Sequence, residues 1–288
     1  MIDEKPKFDP IKYKHTTLEQ WESAAEAWHR WGPLLSKWLG PPTERMLDMA
    51  GVTTGSHVLD VAAGAGDQTM VIAERVGSRG RVLATDLSPG ILEFAAQRAR
   101  DAGFDHVATR AMDGESLTDL EAGSFDAVIS RVGMIYFPDQ QRALAGMRHA
   151  LKPGGKVAAM VYSTAEKNTF FSAPVSIIRR RAQLPPPLPG QPGPFSLGGD
   201  KALENAFVQA GFKDVQVEVI DAPLVVDTAA ECLQFEKESF GALHQMLGGL
   251  SPSEQADAWQ EIEEKLLEFE GDGGFRGPCE LVVAVGTK

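Results

Sequence analysis

VLDVAAGAGDQT, residues 58–69, decides how this chain is read. A run of apolar residues carries Asp60, turns through Gly64 and Gly66, and continues into a helical pattern. A buried strand that enters a glycine turn and then a helix brings backbone amides close to a nucleotide. The details select among nucleotides. A triphosphate cradle needs GxxxxGK[ST], but Gly66 is followed by Asp67, Gln68 and Thr69, with no lysine. A dinucleotide fingerprint needs a third glycine for close helix packing, and Thr69 stands in its place. Acidic residues on both sides of the turn disfavour an anionic pyrophosphate and suit a cationic ligand.

Working outward, short apolar strands alternate with helices from His57 to Tyr162: HVLDVAA, RVLATDL, HVATRAM, SFDAVISRVGMI and KVAAMVY. Strands separated by helices of about ten residues imply right-handed crossovers and a parallel sheet covered on both faces. Ser88-Pro89 reads as an N-cap and first-turn proline. Lys152-Pro-Gly-Gly155 reads as a helix stop. The fold class expected is α/β: a doubly wound, mostly parallel sheet with N-terminal helices and a helical cap. The expected organisation is an N-terminal helical segment (1–50), a core (51–163), an insertion with a proline-rich loop (164–199), the core continued (200–226), a helical cap (227–272) and the last core strand (273–288). Trp21, Trp28, Trp31 and Trp38 share one helical face until Gly32-Pro33 kinks or breaks the helix.

Composition limits the partners. The net charge of −12 over 288 residues disfavours nucleic acid and anionic lipid, so a small-molecule partner is expected. Cys232 and Cys279 are far apart, and no His/Cys cluster has zinc-site spacing, so no metal is expected. The polar N-terminus and the lack of a long apolar run lead us to expect a cytoplasmic protein without a membrane span.

The motif set resembles class I S-adenosylmethionine (SAM) dependent methyltransferases, and within them the small-molecule enzymes of the ubiquinone/menaquinone C-methyltransferase type. VLDVAAGAGDQT is similar to their first motif. The others follow in order: Thr85-Asp86-Leu87-Ser88, Met112-Asp113-Gly114-Glu115, Phe125 to Arg131, and Leu151 to Lys156. The resemblance covers roughly residues 44 to 165. It implies a seven-stranded Rossmann-like form of the sheet with an antiparallel last strand, SAM as cofactor and S-adenosylhomocysteine as product. Asp86 would accept from both ribose hydroxyls, as its place at the end of the neighbouring strand also allows. Asp113 would accept from the adenine amino group, with Met112 and Leu87 on either side of the ring and Gly114 beside it. Gly64 and Gly66 would let Ala62, Ala63 and the turn backbone approach the ligand. Asp60 and Gln68 would lie at the ammonium end, with Ser130, Arg131 and Val132 beside the methionine moiety and Arg131 pairing its carboxylate.

Methyl transfer from a sulfonium is a displacement that requires alignment and dryness, and a base only if the nucleophile arrives protonated. Base candidates are His15, His29, His244 and Tyr136, with Tyr13 further off. Asp139 reads as a helix N-cap and His149 as a helix C-terminal residue. The acceptor should lie across the carboxyl ends of the strands, against Trp28, Trp31, Tyr136, Phe137 and Phe171, which favours an apolar or aromatic small molecule. Two other readings stand beside this one: a non-catalytic SAM-binding regulator and an NAD-dependent oxidoreductase.

Overall fold

The computed structural model describes residues 7–288. Two helices lead the chain, α1 (Pro10–Arg30) and α2 (Gly32–Ala50). Asp9 starts α1 by accepting from the amides of Ile11 and Lys12, with Pro10 in the first turn. Trp31 ends α1 and caps α2, so the break falls just before Gly32-Pro33.

The core then alternates as its sequence pattern requires: β1 (His57–Val61), α3 (Asp67–Val76), β2 (Arg81–Asp86), α4 (Pro89–Asp101), β3 (Val107–Ala111), β4 (Phe125–Arg131), α5 (Gln140–Ala150) and β5 (Leu151–Tyr162). Ser88 caps α4 with Pro89 at its first position, and Asp139 caps α5 by accepting from the amide of Arg142. The KPGG stretch does not separate α5 from a later strand. β5 begins at Leu151, and the extra residues appear as a register shift between the Phe125–Leu151 and Ala127–Lys156 pairs.

The second half comprises α6 (Thr169–Arg181), α7 (Ala202–Gln209), β6 (Lys213–Asp221), β7 (Leu224–Val226), α8 (Ala229–Ser239), α9 (Gly241–Leu247), α10 (Pro252–Leu266), β8 (Glu270–Gly271), β9 (Gly274–Gly277) and β10 (Glu280–Thr287). Seven strands form one sheet in the order β3-β2-β1-β4-β5-β10-β6, with β10 antiparallel to both neighbours. The proline-rich loop between α6 and α7 is pinned by buried Leu197 and by the Phe195 ring against Tyr162 and Phe171.

A second, three-stranded sheet, β7-β9-β8, lies outside the sequence-based description. It pairs the start of the cap with its end, so residues 270–277, expected as the close of a helical stretch and the start of the last strand, are a tight hairpin around Asp272-Gly273.

Strand order reverses between β1 and β4, the position at which doubly wound sheets open a crevice at their carboxyl ends. Here α1 and α2 cross that crevice as a roof. No described helix is long and apolar enough to cross a membrane.

Candidate functional site

At the end of β1 the chain turns through three left-handed residues, Ala62 (φ 58°), Gly64 (φ 58°) and Gly66 (φ 88°). The two glycines do different jobs. A Cβ on Gly64 would meet nothing closer than the Ile91 side chain at 3.9 Å, so its bare face opens onto the crevice. A Cβ on Gly66 would lie 2.8 Å from Ala95 Cβ, so that glycine lets α4 press against the start of α3. Gly66 thus takes the packing role of the absent third glycine, and it does not line the cavity.

Asp60 lies behind the turn. It is fully buried, and its carboxylate accepts from the Gln68 side chain and from Thr69 Oγ1 at 2.6 Å. Burial raises its pKa to about 6 despite those donors. Gln68 faces the cavity together with Asp67, an acid that sequence reasoning did not single out. Asp67 Oδ1 accepts from Arg98 Nη1 at 2.7 Å. Asp86 ends β2 at the cavity wall and accepts from the amides of Gly64 (2.9 Å) and Ser88 (3.0 Å). Burial raises its pKa and the amides oppose that shift.

Across the crevice, β4 ends in a second left-handed residue, Val132 (φ 59°), whose amide donates to Met160 O at 2.7 Å. A branched residue in that conformation is strained by about 1–3 kcal/mol, a strain typical of functional sites. Close packing maintains it: a Cβ on the next residue, Gly133, would fall 2.4 Å from Ala62 Cβ. Ser130 is buried in the strand with its hydroxyl unpaired and does not reach the cavity. Arg131 does reach it. Its Nη1 donates to Thr43 Oγ1 at 3.1 Å, and burial lowers its pKa while Asp67 and Asp60 oppose that shift.

The roof is fastened at both edges. Lys14 Nζ pairs with Asp113 Oδ2 (2.7 Å) and Glu115 Oε2 (2.6 Å). Glu22 accepts from Ser88 Oγ (2.6 Å) and the Gly90 amide (3.1 Å). On the opposite side Trp28 Nε1 donates to Ser239 O at 2.9 Å, and Trp31 Nε1 donates to Glu238 Oε2 at 2.7 Å. These bonds consume the indole N–H groups of Trp28 and Trp31.

Beneath the roof lies a cavity lined by both leading helices and by the ends of the strands. Its first end carries Asp86, Leu87, Met112, Asp113 and Gly114 beside the Ala62–Gly64 turn. Its other end is walled by Trp28, Trp38, Tyr136, Tyr162 and Phe240, while the Phe137 ring lies at the first end, against Gly114. Of the rings expected to face an acceptor, Trp28, Tyr136 and Phe137 line the cavity, Phe137 against Gly114. Trp31 and Phe171 stand behind the wall, against Phe235 and Phe240 respectively.

None of the histidine candidates lines the cavity. His29 stacks on Phe94, His15 faces solvent beside Glu19, and His244 bonds Lys237 O at 2.6 Å. Tyr162 and Trp38 were missed. Tyr162 carried a usable signal, since it closes a strand next to the reversal point. Lys14 and Trp38 carried none, because their position depends on how the two leading helices cross the core.

The comparisons with known proteins agree with this geometry. The ubiE/COQ5 methyltransferase family matches residues 41–176, which run from within α2 into α6 and include both left-handed turns. Aklanonic acid methyltransferase of a Streptomyces species is 32% identical over 51% of this chain and 64% of its own. The ubiquinone/menaquinone biosynthesis C-methyltransferase of Idiomarina loihiensis is 34% identical over 41% of this chain and 47% of its own. The chain therefore spans about half to two-thirds of the length of these relatives. A phosphoethanolamine N-methyltransferase of Haemonchus contortus, solved with S-adenosylhomocysteine, shares the fold at a TM-score of 0.53 and 20% identity, covering 86% of this chain and 52% of that one. With the glycine turn, the reversal-point crevice and the ordered strand-end motifs, the chain is similar over residues 41–176 to SAM-dependent methyltransferases of the ubiE/COQ5 family.

Proposed function

We propose that this protein transfers the methyl group of SAM to a small, apolar or aromatic acceptor by direct displacement. The observation that carries this reading is the single covered cavity, with acids and glycines at one end and aromatic rings at the other. Acids and glycines on one part of a shared lining and rings on another suit a nucleoside lying beside a second, less polar molecule.

The residues fit the cofactor. The bare face of Gly64 and the wall position of Asp86 leave a nucleoside space at the first end. Asp86 would take the ribose hydroxyls, Leu87 and Met112 the faces of the adenine, and Asp113 its amino group once Lys14 shares that carboxylate. Ala62, Ala63 and Gln68, with Asp67 added, would surround the ammonium. Arg131 and Val132 border the place where donor and acceptor meet, while Asp60, Gly66 and Ser130 support the wall from behind. Bound SAM supplies a methyl group already activated on a sulfonium. The chain orients the acceptor between rings, excludes water with α1 and α2, and holds the nucleophile in line.

The similarity to aklanonic acid methyltransferase supports a small-molecule acceptor. Binding calorimetry with SAM, S-adenosylhomocysteine and NAD tests the cofactor; NAD binding without SAM binding would refute the proposal. Labelled-methyl transfer from SAM into a metabolite extract, followed by mass identification, tests turnover. Binding without any labelled product would leave a regulator instead.

A further inference from the structure

At the aromatic end of the cavity the titratable lining groups are Arg131, Tyr136 and Tyr162, and all three are donors. Of the lining acids, Asp86 and Asp113 lie at the other end, while Asp67 is the strongest charge in the field of Arg131 without forming an ion pair with it. Arg131 spends one N–H on Thr43 Oγ1, and the Thr43 hydroxyl proton is itself committed to Leu39 O at 2.6 Å. No ion pair joins Arg131 to a carboxylate among the described residues. The acids that share its field are engaged elsewhere, Asp67 by Arg98 and Asp60 by Gln68 and Thr69. The one side-chain hydrogen bond of Arg131 runs to α2, and the charges acting on it are Asp67 and Asp60 first and Tyr162 after them. Burial keeps the Tyr136 and Tyr162 hydroxyls protonated far above neutral pH, so neither serves as a base. A half-buried arginine at a cavity wall that makes one side-chain hydrogen bond and no ion pair among the described residues has N–H groups left to offer an anion.

We propose, resting on the methyl-transfer reading above, that the acceptor carries an acidic oxygen, a carboxylate or a phenolate, that docks on Arg131 beside Tyr162 and is itself methylated. A lone pair on that oxygen forms the O–CH3 bond as the C–S bond breaks and its electron pair returns to sulfur. An anion and a sulfonium give a neutral ester or ether and a neutral thioether. No proton is released, which accounts for an acceptor end without a histidine or carboxylate. Arg131 thereby leaves the role on the methionine carboxylate that the sequence resemblance implied.

The test uses the full chain saturated with S-adenosylhomocysteine, titrated with 2-naphthoate and with its neutral counterpart 2-naphthamide. A charge-assisted pair on Arg131 should make naphthoate bind at least about tenfold tighter. Arg131→Gln should erase that preference while leaving S-adenosylhomocysteine affinity within about threefold, and Arg131→Lys should restore part of it. With SAM present, methyl 2-naphthoate from naphthoate or 2-methoxynaphthalene from 2-naphthol tells the carboxylate from the phenolate. Equal affinity for the two naphthalenes in the unmodified protein, or binding of neither, overturns the proposal without any variant having to fold. So does an Arg131→Gln protein that keeps the preference but loses S-adenosylhomocysteine. Failure of the unmodified protein to bind S-adenosylhomocysteine would instead refute the methyltransferase reading.

Discussion

The two ends of the cavity are built in different ways. The cofactor end comes from short contiguous stretches: the turn after β1, the tip of β2 and the residues that follow β3. Each is fixed by local backbone conformation and by a strand end. The acceptor end is assembled from α1, α2, the end of β4, the end of β5 and the residue joining α8 to α9, far apart in the chain and brought together by packing. A ligand site made of turns is conservative in geometry, whereas one made of packed side chains changes with every helix that shifts.

The largest expected effect breaks the cofactor end. On the proposed reading, Asp86→Ala removes the acceptor of two charge-assisted bonds to the ribose, each worth about 1.5–3 kcal/mol. S-adenosylhomocysteine affinity should fall by at least about 100-fold in calorimetry, with circular dichroism unchanged. Retained affinity would show that the ribose lies elsewhere. The glycine pair sharpens the contrast within the turn itself. Gly66→Ala adds an atom 2.8 Å from Ala95 at φ 88°, and should cost about 2–4 kcal/mol in chemical denaturation. Gly64→Ala meets open space, so it should cost only about 1 kcal/mol of stability while still weakening ligand binding.

Asp60 makes the turn sensitive to pH. Its carboxyl is raised to about 6 in the fold, against about 3.9 in an unfolded chain. The stability tied to its protonated form is therefore complete below pH 4 and lost as pH rises through 6, a change on the order of 2 kcal/mol. Measured by urea denaturation, the protein should lose stability over that interval relative to Asp60→Asn. Parallel curves would mean that Asp60 is already ionised when buried.

The acceptor end should yield a separable phenotype. Phe240→Leu should raise the acceptor KM several-fold while S-adenosylhomocysteine affinity stays within about twofold, since the ring stands at the far wall. Equal losses for both ligands would mean that the two ends are not independent.

The same contrast explains what the sequence discloses. The alternation of strands and helices in the core, the caps Ser88 and Asp139, and the acids at the strand ends are local signals and are legible. At the other end, many aromatic residues crowd the helices, and only their packing decides that Trp28 faces the cavity while Trp31, three residues on, turns toward Phe235. The β8–β9 hairpin escaped because two- and four-residue strands carry almost no periodicity, although Asp272-Gly273 is a hairpin turn signal.

The roof formed by α1 also sets an order of events. Lys14 on Asp113 and Glu115, and Glu22 on Ser88, tie α1 across the proposed nucleoside end, so on that reading a cofactor would leave only as these fastenings open. Product departure rather than bond making would then pace the cycle. Added salt, which loosens the Lys14 pairs, should quicken turnover before it harms the fold, and Lys14→Met should turn over faster at low salt and respond less to more of it.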